Sequence, residues 1–500
     1  MKKKLLITLV LFFMVLCIAP IKAQAKTWIS ASVTANTTSK TTEAITLTVK
    51  VKKNLKTISY VKYLPGDQSI TKVKKSGKKL TYNKSTKKAK LNVTVNQKYT
   101  FVIKDSKGHA IKKVYKVDNY SNPKYLKQYK AIWYPFYTYE NEYLSKYRSS
   151  NTEKNFRAYF KGVVKNCKSN NINTIIVHAR AFGDAFYDSA YFPTSEYIAG
   201  TQGKKLSYDP LKVMVEEAHA QGLNIEAWLN PYRVAKHDDF KKLSKDHPAR
   251  KWHESSKSAQ QRNVLVYKSK IYFNPSSKEV QDLIIKGAVE IVNNYDVDAI
   301  HLDDYFYPEF TSSNYKTAFD AKEYNSSKEK AAGMSIVEYR RSQVNALVKG
   351  IHDAVHEADP DVRFGISPAG NIDNLTSKYS YYVDIEKWTK STKYVDYITP
   401  QIYWAFNHST APFDKVLKRW KSITDQNKVD LYIGVGSYRV GGDYASNAKE
   451  KAEWKSSGIL KKMIRYGREK SVDGFAFFEY EDLKRSKAKS AIYYMKMELQ

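Results

Sequence analysis

Two adjacent carboxylates, Asp303 and Asp304, close the apolar run Asp298-Ala299-Ile300-His301-Leu302, and Tyr305, Phe306, Tyr307 and Pro308 follow them. Paired carboxylates among aromatics suit a reaction in which one group gives up a proton while another attacks carbon or activates water. Side chains alternate along a strand, so His301 and Asp303 share one side while Ile300 and Leu302 share the other. A strand that turns polar on one parity only at its C-terminal end is how a barrel delivers a carboxylate to its mouth. A single Asp in this position has a plainer role as a helix cap for orphan N–H groups. The second Asp, the aromatics and a histidine one strand-step earlier favour an active site.

Other apolar runs end in the same manner. Val177-His178-Ala179-Arg180 leads to Gly183 and Asp184, and His178 and Arg180 share a parity that should face the interior near its top. A guanidinium there needs a carboxylate or an anionic ligand. Pairing with Asp303 would hold that acid ionised; a purely structural ion pair is the alternative. Glu226, Trp228, Asn230 and Tyr232 share one parity ahead of Arg233, Gln401 and Tyr403 precede Trp404, and Phe477-Phe478-Glu479-Tyr480 ends the last run. Carboxylates therefore arrive from several strands among Trp and Tyr, as cleavage of a glycosidic bond requires. One strand does not easily place both groups, so acid and nucleophile are expected from different strands. Asp303, Asp304 and Glu479 are the catalytic candidates. Glu479 is the expected proton donor, because an apolar surround such as Phe477 and Phe478 raises a carboxyl pKa. Pairing with Arg180 or Arg233 would instead keep it ionised.

These strand ends need a scaffold, and the periodicity supplies one. Apolar runs at 131–136, 173–182, 224–233, 298–307, 362–371, 397–404, 431–438 and 472–480 alternate with amphipathic stretches at 152–170, 210–221, 277–295, 335–357, 413–425, 449–469 and 488–499. Only residues 383–389 offer a helix after the fifth run. Eight such units predict a (β/α)8 TIM barrel over residues 130–500. An open doubly wound sheet is the runner-up, but no Gly-rich phosphate turn follows the first strand. Insertions at 235–273 and 309–335 follow the third and fourth strands and belong on the catalytic face. Residues 26–118 read as a small all-β sandwich of immunoglobulin type, with alternation at 44–51, 89–95 and 99–104, and residues 119–129 as a linker.

Lys2 to Lys4, the apolar stretch to Ile21 and Ala23-Gln24-Ala25 read as a signal peptide cleaved after Ala25. Cys17 follows Leu16, where a lipoprotein signal needs a small residue, so no stable membrane anchor is expected. Cys167 is then the sole cysteine and reads as a buried structural thiol. The net charge of +34 falls to about +30 without Lys2, Lys3, Lys4 and Lys22. An exported chain this basic suits anionic cell-wall polymers, and export argues against nucleic acid. The 40 tyrosines include flat, polar-edged faces that suit sugar rings. His352 and His356 stand four apart beside Glu357, a spacing seen in helical zinc sites. No further ligand is indicated, so they read as a solvated helix face, and no metal or cofactor is expected.

In order along the chain, His178-Ala179-Arg180, Gly183-Asp184-Ala185-Phe186-Tyr187, Asp209-Pro210-Leu211, Ala227-Trp228-Leu229-Asn230-Pro231-Tyr232-Arg233, Asp303 to Pro308, Gly365-Ile366-Ser367-Pro368 and Pro400-Gln401-Ile402-Tyr403-Trp404 resemble the bacterial glycosyl-hydrolase-like family 10, secreted or lipid-anchored TIM barrels. The resemblance implies a glycoside hydrolase, some members of the family cutting peptidoglycan glycan strands stripped of peptides. It matches Asp303 and Asp304 to the family's paired acids, and Arg180, Asp184, Asn230, Arg233, Gln401 and Tyr403 to other strand-end positions. With His178, Trp228, His301, Tyr305 and Trp404, these make the expected substrate-binding set. Glu226 stands where the family often has a non-acidic residue, and residues 369–374 lack its usual aromatic and Arg. The expectation is a secreted glycoside hydrolase acting on cell-wall polysaccharide. A non-catalytic, wall-bound carbohydrate-binding barrel is the alternative, since fold alone does not separate the two.

Overall fold

The computed structural model describes residues 28–54 and 56–500, and the expected signal peptide lies outside the described residues. The chain divides into two compact units, residues up to Ser121 and residues from Asn122 onward. In the first unit, alternation along Ile45–Asn54 buries Ile45, Leu47, Val49 and Val51 and leaves lysines outside. Two four-stranded antiparallel sheets result, and they share a core that includes Leu47, Val61 and Phe101. The short helix Ile70–Ser76, capped by Ser69, is an addition that strand alternation did not announce.

The second unit is a closed barrel of eight strands: Tyr129–Tyr134 (β1), Thr174–Arg180 (β2), Asn224–Leu229 (β3), Ala299–Leu302 (β4), Arg363–Ile366 (β5), Tyr397–Ile398 (β6), Asp430–Val435 (β7) and Gly474–Phe477 (β8). Neighbours pair in parallel, and β8 closes on β1. The expected (β/α)8 architecture is the one observed. The runs are apolar on both parities because helices cover the outside and side chains fill the inside. Ile175 and Val177 of β2 join the outer core with the helices, whereas Ile176 packs inward with Trp133, Trp228 and Ala476.

The outer helices are Glu153–Ser169 (α1), Pro210–Ala220 (α2), Lys278–Asn294 (α3), Ile336–Ala358 (α4), Ile385–Trp388 (α5), Phe413–Ile423 (α6), Ile459–Glu469 (α7) and Lys489–Leu499 (α8). Their starts follow from local chemistry: Thr152, Asp209 and Ser277 accept from the first turn, Pro210 occupies a position whose N–H is spare, and Ser335 with Glu338 forms a capping box. Helix α5 is a single turn. A separate helix, Ala448–Lys455, precedes α7, so the expected 449–469 helix is broken at Ser456 to Gly458. The first insertion carries a three-stranded antiparallel sheet, Arg233–Ala235, Lys270–Phe273 and Val264–Tyr267. Cys167 is free and buried, and burial pushes its thiol pKa up. No helix of the described residues is long and apolar enough to cross a membrane.

Gly365 of β5 faces the Tyr397 ring of β6 inside the barrel, and an added Cβ would overlap that ring. The ring is buried and held by its hydroxyl to Glu226 at 2.7 Å, so it has nowhere to move. Gly365→Ala is therefore expected to destabilise the barrel by about 3 kcal/mol, the upper range of core overpacking. Urea unfolding of the two proteins measures the difference.

Candidate active site

Trp228, His301 and Gly365 stand level on β3, β4 and β5. His301 is fully buried and occupies the barrel centre. Its Nδ1 lies 3.0 Å from the Tyr397 hydroxyl, its Nε2 lies 3.0 Å from Ser367 Oγ, and the Trp133 indole N–H reaches Nε2 at 3.3 Å. Glu226 lies 3.5 Å from Nδ1 and accepts from Tyr397. This polar plug forms the floor on which the mouth is built.

Above the floor lies a cavity of about 230 Å³, lined by His178, Trp228, Asn230, Arg233, Asp303, Tyr305, Gln401 and Tyr403 of the expected set. Trp133, Pro135, Phe136, Tyr137, Ser367, Tyr438 and Phe478 complete the lining. Asp303 is inside because β4 keeps the alternation that His301 begins. Its Oδ1 accepts from the Tyr305 N–H at 3.1 Å, while Oδ2 makes no regular hydrogen bond. Burial, and then the neighbouring Asp304 charge, hold the Asp303 pKa well above the usual carboxylate range, opposed by Arg233, the Tyr305 amide and the Trp228 indole. Asp304, on the other parity, does not line the cavity; burial raises its pKa to about 7, against Arg233 and the Ala369 amide. The two carboxyls are tightly coupled, and neither is an ordinary surface acid.

The walls are shaped for a polar ring. His178 stacks on Trp228 with ring centroids 3.3 Å apart, and its Nδ1 accepts from the Phe136 N–H at 3.1 Å. Burial, with Arg233 and His301 adding to it, lowers the His178 pKa well below its usual value. The ring is therefore neutral with its proton on Nε2, directed toward Asn230 Oδ1 without a regular hydrogen bond. Asn230 donates to the Ala181 carbonyl at 2.9 Å, and Gln401 to the Ser367 carbonyl at 2.8 Å. Arg233 lies between the faces of Phe182 and Tyr305, 4.9 and 4.4 Å from their centroids. Tyr305 is half exposed at the rim.

Arg180 requires a correction. A bulge between His178 and Arg180 shifts the β2–β3 register, so Arg180 pairs with the outward-facing Leu229. Its guanidinium packs on Phe192 at 4.7 Å and reaches the Pro231 carbonyl at 3.5 Å, and it does not meet Asp303. Asp184 lines a separate cavity of about 470 Å³ with Gln202, Tyr197 and Lys236; Gln202 donates to it at 3.1 Å, and burial raises its pKa to about 7. Trp404 is also outside the central cavity, packed against Gly370. Glu479 does not line the cavity either; Tyr137, which does, is its neighbour, and Glu479 Oε2 makes no regular hydrogen bond. Burial, then Glu481 and Asp482, raises the Glu479 pKa to about 8 against the opposing influence of Tyr137 and Arg485. The aromatic run Trp133-Tyr134-Pro135-Phe136-Tyr137 at the end of β1 was the sequence signal for the wall that strand-end reasoning about charged groups passed over.

The mouth of this (β/α)8 barrel holds one buried carboxyl, Asp303, in an aromatic cavity, with Asp304 buried beside it, an arrangement found in glycoside-hydrolase-like barrels. The chain belongs to the glycosyl hydrolase-like 10 family, whose sequence profile matches residues 140–456. It is 35% identical over 336 residues to the glycosyl hydrolase YngK of Bacillus subtilis, a match covering 63% of this chain and 61% of YngK. It is 28% identical over 341 residues to the glycosyl hydrolase DigH of Escherichia coli K12, covering 65% of this chain and 75% of DigH. The glycoside hydrolase domain of PgaB (BpsB) from Bordetella bronchiseptica aligns with a TM-score of 0.44 and 11% identity, over 74% of this chain and 99% of that one.

Because its folded pKa is raised, Asp303 contributes stability that is lost as pH rises through that pKa. Asp303→Asn removes this loss while keeping the side-chain shape. The variant is expected to melt with wild type near pH 4 and about 3 °C above it at pH 8, on the scale of about 1–2 kcal/mol in a large domain. Thermal melts across that range check the sign.

Proposed function

We propose that the protein hydrolyses glycosidic bonds in cell-wall polysaccharide, with peptidoglycan glycan strands lacking peptide stems as substrate. The observation that carries this reading is the Asp303–Asp304 pair, buried beside a cavity walled by Trp228, Tyr305 and Tyr403. A carboxyl held neutral near pH 7 is able to protonate a glycosidic oxygen. In this scheme Asp303 gives its proton to the glycosidic oxygen as the C–O bond breaks, and water attacks the anomeric carbon. The proton that water releases returns to the Asp303 carboxylate, whose ionisation Arg233 and Asp304 set. The neutral His178 Nε2–H and the Asn230 and Gln401 amides bind ring hydroxyls, while Trp228 and Tyr305 offer stacking faces. Glu479, whose carboxyl pKa burial also raises, is the alternative donor beside Tyr137. Export to the wall fits the basic composition, and the exposed Lys50, Lys52, Lys88 and Lys90 of the N-terminal sheets support retention on anionic polymers.

Purified wall glycans, with and without peptide stems, are expected to release fragments only in the stripped form, as read by mass spectrometry. Binding without release would leave a carbohydrate-binding role. Asp303→Asn is expected to lower kcat on glycan by about 10²–10⁴-fold, the contribution of a general acid, and to be spared on nitrophenyl glycosides, whose leaving group needs no proton. If Glu479→Gln shows that split instead, Glu479 is the donor. Wall binding is expected to weaken with added salt, since charges beyond about 8 Å are screened at physiological ionic strength. It is also expected to weaken on deletion of residues 26–118, as measured by pelleting with isolated walls.

A further inference from the structure

We propose that His352, His356 and Asp396 form a zinc site at the N-terminal end of the barrel, clamping α4 to the starts of β5 and β6. The site is separate from the central cavity and does not rest on the glycosidase reading. His352 and His356 lie one turn apart on α4, which brings both imidazoles to one face. The fold adds the ligand that spacing alone did not reveal: Asp396, immediately before β6. One ligand atom from each residue lies within 4.8 Å of the others. All three side chains are partly exposed, at 13%, 27% and 25%, so an ion and its water have access.

The hydrogen bonding at His356 points to a cation. Its Nδ1 lies 2.8 Å from the His352 carbonyl, which only accepts, so Nδ1 carries the proton. Its Nε2 faces Asp396 Oδ2 at 3.2 Å. A cation between them resolves the contact. His352 adds a second imidazole to the cluster, its ring 4.3 Å from the His356 ring and its Nδ1 3.3 Å from Asp353 Oδ1. Anchoring one ring nitrogen on a backbone carbonyl is how metal-binding histidines are oriented. The carboxylate is oriented too, since Asp396 Oδ2 accepts from the Phe364 N–H at 2.7 Å. Two nitrogens and an oxygen, with water in the fourth position, suit zinc. Donor atoms around a tetrahedral zinc stand ~3.3 Å apart, so modest imidazole rotation closes the site.

Zinc chloride titrated calorimetrically into the metal-free protein is expected to bind one ion per molecule and to raise its melting temperature. His352→Ala and His356→Ala are each expected to weaken binding by at least about tenfold, the scale on which even outer-shell partners of metal ligands act. Both should also abolish the thermal shift, with circular dichroism confirming that the variants fold. Asp396→Asn keeps an acceptor for Phe364 and is expected to lose affinity comparably. Absence of stoichiometric binding to the wild type would overturn the proposal, as would equal binding by wild type and the His352→Ala/His356→Ala double variant.

Discussion

The mouth of this barrel rests on one imidazole. His301 ties β4 to Trp133 of β1, to Ser367 at the end of β5 and to Tyr397 of β6, and Tyr397 carries the connection to Glu226 of β3. A fully buried polar network of this kind is stable only when its members are partnered, because each unmet group costs its full desolvation. Its geometry therefore dictates the rotation of five strands. Asp303 sits two residues above His301 on the same parity, so its position is inherited from that network. Ser367 belongs to both, bonding His301 below and lining the cavity above.

The second constraint is charge. Asp303 and Asp304 are buried side by side, and the cationic group acting on both is Arg233, held between two aromatic faces. Burial disfavours full ionisation of such a pair, and holding it costs the barrel stability. Glu479 is raised by the same cause, within a separate acidic cluster behind Tyr137. His178 is the complementary case: burial beside a guanidinium keeps it neutral, and a backbone amide chooses its tautomer.

Much of this was legible in the residues. The eight strands, most of the helices and the inward parity of Glu226, Trp228, Asn230, His301 and Asp303 follow from periodicity, since a fixed alternation needs no tertiary information. Parity misleads where alternation itself fails. The bulge after His178 turns Arg180 outward, and no residue type in Val177-His178-Ala179-Arg180 marks it. One residue past a strand's end parity still holds, as at Asn230 and Asp303; farther out it says nothing, and Asp184, Trp404 and Glu479 lie outside the central cavity. The third partner of the α4 histidines was hidden for a related reason: Asp396 precedes a two-residue strand, and only the closed sheet brings it beneath α4.

Gly365 and Tyr397 also bear on how such a barrel can vary over time. The space that one lacks is the space the other fills, so neither position is free to drift alone. A side chain at 365 becomes tolerable only after the phenol at 397 has shrunk, and that step removes the hydroxyl that meets both Glu226 and His301. Glu226 would then lose its 2.7 Å partner in the interior, with His301 3.5 Å away left beside it, and would be under pressure to change as well. Three positions on three strands thus form one epistatic unit. Lineages should exchange them together, passing between a polar centre and an apolar one with few viable intermediates.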